Sequence, residues 1–131
     1  MSARTILIVS GIVGALGIVI GAFGAHSLPK LLKDLQPEEF AQRQAWLETG
    51  VKYHMYHAAA LLAIGLAGQR SEMNFSASGI AWLIGILVFS GCLYAMTMTG
   101  IKVLGAIVPI GGVAFIVGWV MVIINGIRHG S

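Results

Sequence analysis

Charge is what this sequence has least of. Only 10% of its 131 residues are Asp, Glu, Lys or Arg, against about 25% in water-soluble domains. Hydrophobic residues make up 57%, and the mean hydropathy is +0.88. A soluble fold of this length has too little interior to bury that much apolar surface, so lipid must stand in for a core. Cysteine is scarce as well: Cys92, the single one, lies in an apolar run, which excludes a disulfide framework. No Lys/Arg cluster or basic stripe is present, and a net charge of +3 spread along the chain excludes a nucleic-acid surface. Also missing are a nucleophile elbow, a phosphate-binding loop and paired carboxylates within an apolar run, and with them the usual signs of an enzyme. No His, Cys, Asp and Glu fall at a metal-ligand spacing.

What is present is four long stretches free of charge: Arg4 to Lys30, Lys52 to Arg70, Glu72 to Lys102 and Lys102 to Arg128. A hydrocarbon core about 30 Å thick takes about 20 apolar residues as a helix. Because lipid offers the backbone no hydrogen-bond partner, runs of this length are helical. The reading is an all-α integral membrane protein, residues 1–131 forming one transmembrane domain. Its four spans fall at about 5–25, 53–68, 76–98 and 104–127. The first imitates a signal peptide, with Arg4 ahead of it and Ala22-Phe23-Gly24-Ala25 behind. Its apolar run is about twice the usual signal length, which makes it a span.

The one sizeable polar stretch, Ser27 to Lys52, separates the first two spans. Leu28, Leu31, Leu32 and Leu35 recur in it at helical spacing with Lys30, Lys33 and Asp34 between them, the pattern of a short amphipathic element on a membrane surface. Pro37 suits a first helical position and Glu38 and Glu39 suit a first turn, so one helix is predicted from Pro37 into the second span. Glu39 and Arg43, four apart, can pair. Trp46 falls where headgroups lie. Four spans put both termini on one side, with Arg4, Arg70 and Arg128. The other side holds Lys30, Lys33, Arg43, Lys52 and Lys102, so the positive-inside rule leans toward a cytoplasmic connector and both termini outside.

Gly11, Gly14, Gly17, Gly21 and Gly24 share an arc of roughly 140° on the first span. Small residues on one face let helix backbones approach closely. This stripe serves either packing within one bundle or a homo-oligomer seam. Ala59, Ala63 and Ala67, Ala81 and Gly85, Gly91 and Ala95, and Ala114 and Gly118 repeat the small-residue spacing in the later spans. No internal repeat supports an inverted-repeat transporter.

Sorted by depth, polar side chains gather in the half of the bundle next to the connector: His26, Tyr53, His54, Tyr56, His57, Ser90, Cys92, Tyr94 and Thr97. The other half holds little beyond Ser10 and Asn125. Tyr53 and His57 share a helix face, and His54 points about 60° away from His57. Intramembrane ionisable residues face the bundle interior, and histidine is the least costly because it can stay neutral. Three uses fit. The histidines can be structural, bonded to hydroxyls or free carbonyls. They can contact a ligand (a haem, a metal, a quinone or a lipid headgroup). They can take part in proton or solute movement, although no acid, Lys or Arg lies within a span. Cys92 in this setting is a packing residue, since apolar surroundings quiet a thiol.

Four blocks, in order, carry a resemblance: Gly21-Ala22-Phe23-Gly24-Ala25-His26; Trp46 with Thr49-Gly50-Val51 and Tyr53 to His57; Phe89-Ser90-Gly91-Cys92-Leu93-Tyr94; and Pro109-Ile110-Gly111-Gly112-Val113-Ala114-Phe115 with Gly118-Trp119. Together they resemble the YgdD-like family of small membrane proteins across nearly the whole chain. That resemblance implies a four-span bundle in a bacterial inner membrane and supplies no activity or cofactor. It includes His26, Tyr53 and His57 in the family pattern and assigns no role to His54.

The combined expectation is a multi-pass inner-membrane bundle, non-enzymatic, in contact with membrane lipids and able to self-associate through the glycine face. A ligand- or lipid-contacting pocket is expected around His26, Tyr53, His57 and Tyr94. The alternative is a small solute or proton transporter or channel.

Overall fold

The computed structural model describes residues 1–129, and every element in them is helical. Helix α1 (Ala3–His26) begins on a Ser2 cap, whose hydroxyl accepts from the Thr5 amide at 3.1 Å. A single turn, α2 (Leu28–Leu31), follows, with Leu28 fully buried and Leu31 exposed. This is the amphipathic connector. Helix α3 (Pro37–Arg70) starts at Pro37, with Glu38 and Glu39 in its first turn, and runs unbroken for 34 residues. Pro37 has no amide hydrogen to lose at that position and its φ is already helical, so the chain turns into α3 there. Helix α4 (Ser76–Thr99) includes a π-helical turn at Ile86–Ser90. Helix α5 (Val108–His129) is entered through a 3-10 turn at Lys102–Ala106.

Among the described residues three segments are long and apolar enough to cross a membrane: Ala3–His26, Ser76–Thr99 and Lys102–His129. α3 lacks their apolarity because the turn around Tyr53, His54 and His57 interrupts it. It buries Leu47, Gly50, His54, His57, Ala58, Ala60, Leu61, Ile64 and Gly65. The apolar helices instead point large side chains outward: Ile8, Ile12, Leu16, Ile18 and Val19 on α1, and Ile116, Ile123 and Ile127 on α5. The bundle is thus inside-out relative to a soluble one. Its most polar helix packs between α1 and α4, and its most apolar surfaces face what must be lipid.

Two antiparallel seams hold the bundle together. Along the first, α1 meets α3 with Gly24 against Leu47, Gly21 against Val51, Gly17 against Met55 and His54, Leu7 against Gly65, and Ala3 against Gly68. The five-glycine stripe therefore divides: Gly17, Gly21 and Gly24 face α3, and Gly11 and Gly14 meet nothing. Along the second, α4 meets α5 by exchanging rings for glycines. Trp82 lies on Gly118, Phe115 on Gly85 and Phe89 on Gly111. Beyond its π turn α4 changes neighbour. The added residue rotates the helix that follows, and Ser90, Leu93 and Thr97 turn to α3. There the Ser90 hydroxyl donates to the Gly50 carbonyl at 2.7 Å and the Thr97 hydroxyl to the Arg43 carbonyl at 3.1 Å. α4 ends on Gly100, which adopts φ +73°. Arg43, ion-paired with Glu39 at 2.6 Å, donates to the last carbonyls there, reaching Met98 at 3.3 Å. A cation at the negative end of a helix is favourable. A side chain at position 100 would run into that guanidinium.

Candidate functional site

The polar layer is built on two consecutive turns of α3. His54 and His57 are both buried, at 4% and 5% exposure, so each ring nitrogen needs a partner. His57 Nδ1 lies 2.8 Å from the Tyr53 carbonyl. A carbonyl only accepts, so Nδ1 carries the proton. Nε2 lies 3.2 Å from the indole nitrogen of Trp119, and an indole N–H only donates. His57 is therefore neutral, with its hydrogen on Nδ1 and its lone pair on Nε2. Its ring stacks face to face on Phe115 at a centroid distance of 3.6 Å, with Trp82 and Trp119 edge-on at 5.9 and 6.2 Å. Trp119, about half exposed, covers the imidazole on the lipid side.

His54 has the opposite tautomer. Its Nε2 donates to the carbonyl of Val13 on α1 at 2.8 Å, and the Tyr94 hydroxyl on α4 donates to its Nδ1 at 2.9 Å. The Val13 carbonyl already sits in a helix, and what lets a second donor reach it is Gly17 four residues on, where a side chain would stand in the way. Gly17 is itself buried against His54 and Met55. One imidazole thereby ties α3 to α1 and α4, and the other ties α3 to α5. The two bonds differ in one chemical respect. The Tyr94 hydroxyl can either donate or accept, whereas the Trp119 indole N–H only donates.

The four residues expected to share a pocket are not all brought together. Tyr53 and His57 join one aromatic cluster, with the Tyr53 ring 4.8 Å from Phe89 and 6.2 Å from Phe115. Tyr94 belongs to His54. His26 is exposed at the end of α1 and forms no side-chain hydrogen bond among the described residues. With Gly24 opposite Leu47, it lies about three turns of α3 from His57. Four surface cavities open on the bundle, and none of these four is lined by His26, Tyr53, His57 or Tyr94. Two open on the connector side, one of them a groove of about 370 Å³ between α1 and α3. Its shelf is Gly21, Gly24 and Ala25, its far wall Leu47 and Val51, and its rim Glu48 and Lys52.

His54 and the ring-for-glycine seam are what sequence reasoning missed. A signal for the seam was there: Trp82, Gly85 and Phe89 on one helix and Gly111, Phe115 and Gly118 on the other alternate small and aromatic residues at three- and four-residue spacing. No group of three or more His, Cys, Asp or Glu able to hold a metal occurs among the described residues.

Residues 20–112, which include Tyr53, His54, His57 and Tyr94 but not Val13, Phe115 or Trp119, match the family described as "Protein of unknown function (DUF423)". The chain belongs to that family. It is 38% identical over 128 residues to the UPF0382 membrane protein YwdK of Bacillus subtilis (strain 168), covering 96% of this chain and 98% of the relative. It is 33% identical over 129 residues to the UPF0382 inner membrane protein YgdD of Escherichia coli (strain K12), covering 98% and 93%. A UPF0382 membrane protein of Haemophilus influenzae is 40% identical over 103 residues, covering 79% and 77%. No solved structure matches the chain. The resemblance to the YgdD-like family is thus borne out, and with it a multi-pass, helical membrane protein of the bacterial inner membrane.

Proposed function

We propose that this member of the DUF423 family is a non-enzymatic protein that crosses the bilayer four times, with α3 as the fourth span, and contacts a phospholipid in the connector-side groove. The histidine layer is then a rigid wall behind that contact. The observation that carries this reading is the saturation of the layer. Every ring nitrogen of His54 and His57 is engaged by a protein group, which leaves no lone pair for a metal or haem iron and no base for a reaction. α3 tolerates this polarity in a membrane because its neighbours satisfy and enclose it.

The groove offers an apolar floor at headgroup depth and two charges of opposite sign, Glu48 and Lys52, one turn apart. A zwitterionic headgroup complements them, its phosphate against Lys52 and its ammonium against Glu48. Native mass spectrometry on protein reloaded with dioleoyl phosphatidylethanolamine tests this. Ala25→Trp, which fills the groove from an exposed position, should remove one retained lipid per chain. Unchanged stoichiometry would falsify the site. Labelling single cysteines at Ser2, Asp34, Ser71 and Lys102 tests the span count: Ser2 and Ser71 should react from one side and Asp34 and Lys102 from the other.

One observation favours a second reading, a proton or solute path. The reversible His54–Tyr94 bond could pass a proton, which the His57–Trp119 bond could not. Cysteine accessibility along α3 separates the two. A labelled stripe through position 54 supports a path, and uniform protection supports the locked bundle.

A further inference from the structure

The membrane face opposite the connector carries a second groove, of about 520 Å³. Met121, Ile124 and Arg128 recur at helical spacing along one face of α5, and Ala77 and Ile80 oppose them from the first turns of α4. The floor is apolar. The mouth carries Arg128 and His129, both exposed, and is braced by Asn125, whose amide donates to the Asn74 carbonyl at 3.0 Å. Among the described residues no acid lines this groove, and the one ion pair, Arg43 with Glu39, is at the other face. Arg128 stands at the end of a candidate span, where basic side chains meet headgroups. Met121 lies seven residues further in, about 10 Å deeper, at the level of acyl chains.

We propose that this groove holds one anionic phospholipid, its phosphate on Arg128 and an acyl chain along Ile80, Met121 and Ile124. Charge complementarity selects the headgroup. Arg128, with no acid lining the groove among the described residues, suits a phosphate without a compensating ammonium, whereas a choline headgroup would bring a second cation to the same mouth. This is independent of the connector-side groove, which has a carboxylate on its rim and takes the opposite preference.

The test is native mass spectrometry of the full chain, delipidated and offered dioleoyl phosphatidylglycerol or dioleoyl phosphatidylcholine at equal concentration. The unmodified chain should retain phosphatidylglycerol with at least about a fivefold preference, the scale of one basic residue near an anionic lipid. The double variant Arg128→Gln/His129→Gln should lose the preference with unchanged helical circular dichroism. Ile80→Trp should lose it with Arg128 intact. Ala25→Trp in the other groove should keep it, so failure here and failure of the connector-side site are told apart. Equal retention of the two lipids by the unmodified chain overturns the proposal, as does a preference that survives Arg128→Gln/His129→Gln or Ile80→Trp.

Discussion

The two seams solve one problem with different side chains. Between α1 and α3, glycines receive the flexible ends of Leu47, Val51, Met55 and Leu7, and one of them opens a backbone carbonyl to His54. Between α4 and α5, glycines receive whole aromatic rings, and at Gly111 the backbone of Phe89 as well. An aliphatic tip can rotate away from a new methyl group at small cost, whereas a ring wedged between two helices and a neighbouring backbone cannot. Except at Gly17, which faces His54, and at Gly65, where the Leu7 amide lies 3.2 Å away, the first seam should therefore tolerate added volume, and the second should not. In lipid, where helices gain nothing from excluding water from one another, such close packing and the hydrogen bonds across it are what holds a bundle together.

This contrast orders the expected effects of substitution. Gly111→Ala comes first. Its Cβ would stand 2.8 Å from Phe89 Cα, so α4 and α5 must separate, at a cost of about 3 kcal/mol. Unfolding in a mixed-micelle titration measures it. Gly17→Ala comes next, at about 2 kcal/mol, because the methyl crowds His54 3.3 Å away and weakens its bond to the Val13 carbonyl. The same titration should show Met55→Ala recovering less than half of that loss, since the histidine remains displaced. Trp119→Phe keeps a ring over His57 and removes only the N–H, leaving Nε2 without a donor. About 1 kcal/mol is expected, together with faster exchange of the His57 ring proton by NMR. Smallest are Gly21→Ala, where Val51 lies at an ordinary 3.5 Å, and Gly14→Ala, which meets nothing. Both should stay within about 0.5 kcal/mol. If Gly21→Ala cost as much as Gly111→Ala, the distinction between the seams would be lost.

Much of the fold was legible in the sequence because helix formation in a membrane is a local matter. The apolar runs at 5–25, 76–98 and 104–127 lie within Ala3–His26, Ser76–Thr99 and Lys102–His129. Pro37 and the acids after it marked the start of α3. The Glu39–Arg43 pair formed as its spacing required, but its larger role, closing the end of α4, depends on a helix more than fifty residues away. The polar layer was legible only as a common depth. Depth placed Tyr53, His57 and Tyr94 near one another and counted His26 among them, and it could not show that His26 stops at the surface. His54 looked peripheral because it points away from the His57 face. That direction is the one that meets α1 and α4.

By itself, then, the sequence determined that the chain is helical, where its apolar segments begin and end, and that its polar side chains gather toward one face. Charge, apolar run length, proline position and helical periodicity act over a few residues and can be read along the chain. Only the tertiary structure decided which glycine takes which ring, which carbonyl each histidine holds, and hence which nitrogen of each imidazole carries the proton. Those outcomes depend on the register between helices tens of residues apart. A shift of one residue in that register moves every knob to a different hole.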